Sequence, residues 1–241
     1  MTLHENFKAV GRPECHARGF IPFCLENPEL RIIRHISLLD SLLPVGAEWS
    51  ANPRDIWLLS SECLAAMVPW IEEAVSLPAY GMPENAFELV IDGNQRESTE
   101  AWEVLKAAAA MQEAMLRQCR ASGTQPKPRP LPPRYSHPTL APWSLPVGFA
   151  QVIRDIAEGK SIVRYDGDVG ELWDRDQFFL KRKAWTEDQW IRDWSKMVDR
   201  GISTNCWRYI ADRYDVEPLV LRTTYTVVRQ GRVIKTATRD V

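Results

Sequence analysis

The sequence predicts a helix-rich α+β protein, with a mainly helical N-terminal domain that carries one short strand and a C-terminal helical domain that ends in a β-hairpin. Three observations carry this. Apolar residues recur at helical spacing in both halves. Eight prolines fall between Pro126 and Pro146. The last stretch alternates as two strands around Gln230-Gly231. The proline-dense segment reads as extended chain, so the expected domains are 1–122 and 147–241, with 123–146 as linker.

In the N-terminal half, Leu30 to Leu43 reads as a short helix ended by Pro44 and Gly46. A second helix is expected from Asn52 as cap and Pro53 as first residue, with Ile56, Leu59, Cys63, Met67 and Ile71 at helical spacing and a kink or break at Pro69. Phe87, Leu89 and Ile91 alternate with Glu88, Val90 and Asp92, which predicts a strand closed by a turn at Asp92-Gly93. A long helix follows from about Glu100 to Arg120, capped by Ser98 or Thr99, with Trp102, Leu105, Ala109, Gln112 and Leu116 on one face and Gly123 at its end.

In the C-terminal half, a helix is expected from Val147 to Glu158, then a strand from Ser161 to Tyr165. Thr186 and Gln189 form the two ends of a capping box for a helix through Trp190, Trp194 and Met197. A further helix is expected from Thr204 to Tyr214, then strands 219–228 and 232–238. Helix, strand, helix, helix, hairpin is the order of a winged helix, in which the third helix enters the major groove and the hairpin tip meets backbone or minor groove.

Composition bounds the function. Of 241 residues, 45% are apolar and 26% charged, which excludes global disorder. Ten tryptophans are enough to anchor cores and contact surfaces. Met1 to Val10 does not read as a secretory signal. The longest run free of Asp, Glu, Lys and Arg, Tyr135 to Ile153, is broken by Pro138, Pro142 and Pro146, so no membrane span is expected. Five scattered cysteines give no disulfide framework and suit a cytoplasmic setting.

Charge is the strongest functional signal. Residues 1–122 hold 10 Lys and Arg against 17 Asp and Glu, whereas residues 123–241 hold 20 against 15. A basic half favours an anionic partner such as nucleic acid. The expected contacts are Asn205, Arg208 and Arg213 on the third helix, and Arg222, Arg229, Arg232 and Lys235 on the hairpin. A two-residue turn sets Arg229 opposite Arg232, and Val228 opposite Val233. Two arginines facing one another repel, and phosphate relieves that. Lys181, Arg182 and Lys183, flanked by Phe178, Phe179 and Trp185, form a second candidate, where rings could stack on bases.

Other constellations are weaker. Asp166, Asp168, Glu171, Asp174 and Asp176, with Gly167 and Gly170, do not match a calcium loop and read as a solvated acidic stretch. His4, Cys15, His16, Cys24 and His35 lack the close pair of a zinc site and are expected to be metal-free. Cys15 beside His16 does not make a nucleophile. The segment Lys127 to Arg134 fits a PxxP ligand but reads as a stiff tether. No Walker loop, G-x-S-x-G, H-E-x-x-H or dinucleotide pattern is present, and no cofactor is called for. The expectation is a non-enzymatic, nucleic-acid-associated, DNA-binding type of protein, a subunit of a larger bacterial or phage assembly with other protein subunits as partners. The alternatives are a protein–protein adaptor or structural component, and a metal-dependent nuclease using the acidic loop.

Overall fold

The computed structural model describes residues 1–4, 17–38, 58–93, 96–124, 145–198, 201–202, 222–229 and 232–240. Its centre is a four-stranded parallel sheet. The strands are β1 (Thr2–His4), β2 (Ile32–Ser37), β4 (Phe87–Asp92) and β5 (Val163–Asp166), side by side in chain order. A two-residue strand β3 (Leu58–Leu59) pairs antiparallel with β6 (Gly201–Ile202). The helices are α1 (Ile21–Glu26), α2 (Ser60–Ser76), α3 (Arg96–Ser122), α4 (Phe149–Ala157), α5 (Arg175–Leu180) and α6 (Glu187–Val198), and a hairpin of β7 (Arg222–Arg229) and β8 (Arg232–Asp240) follows. Among the described residues no helix is long and apolar enough to cross a membrane.

Parallel strands need long crossovers, and helices supply them here: α2 between β2 and β4, α3 and α4 between β4 and β5. Register partners on neighbouring strands share a face. One face therefore carries Ile32, Arg34 and Ile36 of β2, Phe87, Leu89 and Ile91 of β4, and Val163 and Tyr165 of β5, all of them buried. Arg34 is tolerated there with its guanidinium over the Trp70 ring of α2, at 4.5 Å. The opposite face is mostly polar, although Val90 is fully buried. On that face Glu88 accepts from Arg31 Nη2 at 2.7 Å and pairs with Arg164 Nε at 3.1 Å.

The helix expected at Leu30 to Leu43 is instead strand β2 over Ile32–Ser37. Its burial alternates with period two, through Ile32, Arg34 and Ile36, and β-branched residues suit a central strand. The helix expected from Asn52 starts at Ser60, Leu59 belongs to β3, and α2 runs through Pro69 without splitting. Asn52 and Pro53 lie outside the described residues. The strand at Phe87 and the helices α4 and α6 stand where the sequence predicts them, and α3 does so except at its start, which is Arg96, so that Ser98 and Thr99 lie inside the helix rather than capping it. Gly123 and Gly159 end α3 and α4 in left-handed conformations, with φ of +66° and +68°. The capping box is present: Gln189 Oε1 accepts from Thr186 N at 2.7 Å, and Thr186 Oγ1 accepts from Gln189 N at 3.4 Å.

The expected boundary at 123–146 is not where the contacts divide. The compact units are Met1–Thr204 and Asn205–Val241. Strand β5, from beyond the proline-rich segment, completes the sheet of the first half, and α4, α5 and α6 all pack on α3. Helix α3 is consequently buried on most sides, from Ala101 and Trp102 through Ala108, Ala109 and Ala110 to Met115, rather than on a single face. Its polar side chains reach the later segments. Gln112 exchanges hydrogen bonds with Leu145, donating to its carbonyl at 2.9 Å and accepting from its N–H at 3.1 Å. Gln118 donates to Trp185 O at 2.6 Å and accepts from Trp190 Nε1 at 2.8 Å.

Glu88 provides a pH test of the polar face. Partial burial works to raise its pKa, but hydrogen bonds and charges from Arg164 and Arg31 outweigh this and hold it below the ordinary 4.5. A depressed carboxylate stabilises the fold above its unfolded value, and that contribution is lost as pH falls through the folded value. Glu88→Gln should cost about 1 kcal/mol at neutral pH, since both arginines are half exposed and screened. In urea titrations the gap to wild type should stay level above pH 4.5 and close below it. A gap that persists into strong acid would contradict this account.

Candidate functional site

The hairpin has the predicted register at its tip: Arg229 stands opposite Arg232 and Val228 opposite Val233. A register shift follows, so the next pair is Val227 with Lys235, and Ile234 is the extra residue of a bulge. Bulges bend and twist a strand pair, which re-aims the tip relative to its base. At the base Arg222 faces Asp240 and Thr223 faces Arg239. The expected third helix, with Asn205, Arg208 and Arg213, lies outside the described residues, as does the turn at Gln230-Gly231. The strand of the expected helix, strand, helix, helix, hairpin order is β5, and it pairs with β4.

The second basic candidate is rearranged by packing. Asp174 caps α5, accepting from Gln177 N at 2.8 Å, and the chain then turns through Lys181 to Trp185. Arg182 turns back into this corner. Its guanidinium lies 3.7 Å from the Phe178 ring centre and 4.9 Å from that of Trp185, and Trp185 meets Trp190 edge-on at 5.0 Å. Burial lowers the Arg182 pKa, opposed by Asp193. Arg117 covers Phe179 in the same way, at 4.4 Å. The rings expected to stack on bases therefore hold arginines of this chain. Lys181 and Lys183 remain exposed, and Lys181 donates to Gln177 Oε1 at 3.2 Å.

The acids of 166–176 are all exposed, as a solvated stretch requires, and they make separate local contacts. Asp174 is a helix cap, Asp176 pairs with Arg117 at 2.6 Å, and Asp168 Oδ1 accepts from Gly170 N at 2.9 Å. Glu171 contributes its main-chain oxygen, which accepts from Lys106 Nζ at 3.1 Å. Of the possible zinc ligands, His4 and His35 are register partners on β1 and β2, and Cys24 is buried. Burial raises the Cys24 pKa. Cys15 and His16 lie outside the described residues. Among the described residues no three His, Cys, Asp or Glu side chains form a group that could hold a metal.

The sequence reading missed the carboxyl edge of the sheet, the usual ligand side of an open parallel sheet. Here β4 ends in Asp92 and β5 in Asp166, in register, and Gly93 N donates to Asp166 O at 3.1 Å. Each aspartate is followed by glycine and then by Asn94 or Asp168. A side chain at Gly93 would fall onto the Tyr165 ring, and one at Gly167 onto that ring and the Gly93 carbonyl. Tyr165 stacks flat on Trp102 of α3, with ring centres 4.3 Å apart. Trp102 Nε1 and Lys106 Nζ both donate to Val169 O, at 3.2 and 2.8 Å, which clamps the following loop to α3. The Tyr165 hydroxyl is buried and has no hydrogen-bond partner among the described residues. Burial, then the charges of Asp168, Asp92, Glu103 and Cys63, push its pKa well above the ordinary phenol value, so it is a proton donor at neutral pH. The signal for this edge was the repeated Asp-Gly-Asn/Asp after an apolar run.

Comparison with protein-family models, with curated proteins and with solved structures finds no match.

Arg182 and Lys183 should separate packing from surface charge. Arg182→Ala leaves Phe178 and Trp185 without their shared partner and should cost about 1–3 kcal/mol. Lys183→Ala should stay within about 0.5 kcal/mol of wild type. Chemical denaturation of both variants checks this, and equal stabilities would place Arg182 on the surface instead.

Proposed function

We propose that the protein associates with nucleic acid through its C-terminal unit, Asn205–Val241, as a non-enzymatic component of a larger assembly. One observation carries this reading. Residues 222–240 hold five basic residues against the single acid Asp240, with Arg229 and Arg232 in register at the tip. The contrast that the sequence suggested persists across the division of the chain, at net +3 against −5. Residues 205–241 hold 7 Lys and Arg against 4 Asp and Glu, and residues 1–204 hold 23 against 28. A basic hairpin on an otherwise acidic chain concentrates attraction for phosphate at one place. It gives register on the backbone rather than base readout, so the expected binding is weakly sequence-dependent. Lys181 and Lys183 are exposed and could add phosphate contacts. An acidic protein partner uses the same charges and is the competing outcome, in keeping with an adaptor.

The test is an Arg229→Ala, Arg232→Ala double variant. Its affinity for duplex and single-stranded DNA and for RNA should be measured over a range of salt. Affinity should fall about equally across sequences, and the salt slope should drop by roughly two, one unit per phosphate contact. Folding stability should change by less than about 0.5 kcal/mol. Unchanged affinity and slope would remove the hairpin from any nucleic-acid interface. Absence of nucleic-acid binding by the wild type would favour the adaptor reading.

A further inference from the structure

At the carboxyl edge of the sheet, Gly93 and Gly167 bring main chain onto the Tyr165 ring and close it off. Open space lies at the opposite, amino edge. A cleft of about 510 Å³ forms there between Arg31, which precedes β2, the turn at 83–86 ahead of β4, and the turn at 159–162 that joins α4 to β5. That volume falls within the range of about 300–1,000 Å³ usual for small-molecule sites. Met82, Pro83, Phe87 and Ile162 give it an apolar wall. Main-chain bonds fix both turns. Ala86 N donates to Pro83 O at 3.2 Å, and Asn85 takes the left-handed conformation, φ +61°, that asparagine and glycine supply at the third position of such a turn. Lys160 N donates to Asp155 O at 2.7 Å, beyond the left-handed Gly159. The walls are therefore set before a ligand arrives, which lowers the cost of binding.

Charge selects the ligand. The cleft is lined by Arg31 and Lys160 on one side of the balance and by Glu84 and Glu88 on the other. Glu88 is satisfied, because Arg31 and Arg164 take its two oxygens. Glu84 is exposed and has no ion pair among the described residues. Arg31 gives only Nη2 to Glu88, and Lys160 pairs with Glu158 at 2.6 Å, so both keep further N–H donors for a ligand. A ligand of one sign would meet as many like charges as opposite ones. A ligand of both signs meets Glu84 with its cation and the two basic side chains with its anion. We propose that this cleft binds an amphoteric ligand of the amino acid type, an apolar amino acid or a short peptide. Its amine meets Glu84, its carboxylate meets Lys160 and Arg31, and its apolar side chain lies against Met82, Phe87 and Ile162. The inference uses nothing from the hairpin, so either can fail without the other.

The experiment uses the full chain and the dipeptide Leu-Leu as probe, titrated by calorimetry beside free leucine, N-acetyl-Leu-Leu and Leu-Leu amide. The expected result is saturable binding of one Leu-Leu per chain. Acetylating its amine or amidating its carboxylate should each weaken binding about tenfold or more. Glu84→Gln should weaken Leu-Leu about as much as acetylation does, and should leave the acetylated peptide unaffected. Lys160→Met should weaken Leu-Leu more than Leu-Leu amide. Lys183→Ala, at an exposed lysine outside the cleft, should change neither. Both cleft substitutions fall on exposed side chains, so the variants should fold as the wild type does. Leucine that binds as tightly as Leu-Leu would identify a free amino acid as the ligand, and weaker leucine a peptide. Absence of saturable binding of either to wild type would overturn the site, as would binding indifferent to both Glu84→Gln and Lys160→Met. Indifference to one of them would overturn the role of that side chain.

Discussion

The structure of the first unit depends on the polar side chains that α3 carries into its own packing. Lys106, Gln112, Glu113 and Gln118 project from a helix that is largely buried from Ala101 to Met115. Buried polar groups without partners cost about 1–3 kcal/mol each, so these residues restrict what can cover the helix. Each is met by a segment that lies at the end of the proline-rich stretch or beyond it. Lys106 takes the carbonyls of Val169 and Glu171, and Gln112 takes both main-chain groups of Leu145. Glu113 accepts from Trp173 Nε1 at 2.9 Å and pairs with Arg175 Nε at 3.1 Å. An apolar surface would tolerate many ways of docking 145–198. Hydrogen bonds at fixed positions along one helix select a single one.

This clasp explains where the sequence was legible and where it was not. Local signals survived: the Thr186–Gln189 capping box, the glycine stops at Gly123 and Gly159, and the register of the Arg229–Arg232 turn each involve residues a few positions apart. Non-local ones did not. Strand β2 was read as a helix because a short apolar run such as Ile32-Ile33 with Ile36 fits either period, and its partners β1 and β4 are distant in sequence. The proline-rich segment was read as a boundary because proline describes the segment itself and says nothing of whether its flanks meet. Gln118, which with Gln112 ties the flanks together, looks like an ordinary surface residue of an Ala-rich helix.

The candidate site was legible to the same degree. Charge asymmetry needs only counting, so the basic character of the C-terminal end was available at once. The acids at 166–176 looked like one cluster because they are close in sequence, yet a helix cap, an ion pair with Arg117 and a loop bond to Gly170 use three of them separately. Asp92 and Asp166 lie 74 positions apart and meet only because β4 and β5 are in register. Their strand-end position also bears on the edge of the sheet. Strand β5 is short and exposes Arg164 and Asp166, and such charges discourage another strand from adding there.

The central claim is that residues 145–198 belong to the same folded body as the first half, held by α3. A protease site introduced within 125–144 tests it directly. After cleavage the two fragments should co-elute on gel filtration under native conditions, and the sheet-bearing unit should melt in one cooperative transition near that of the intact chain. Fragments that separate, or that melt in two independent transitions, would contradict the account and restore two domains joined by a linker.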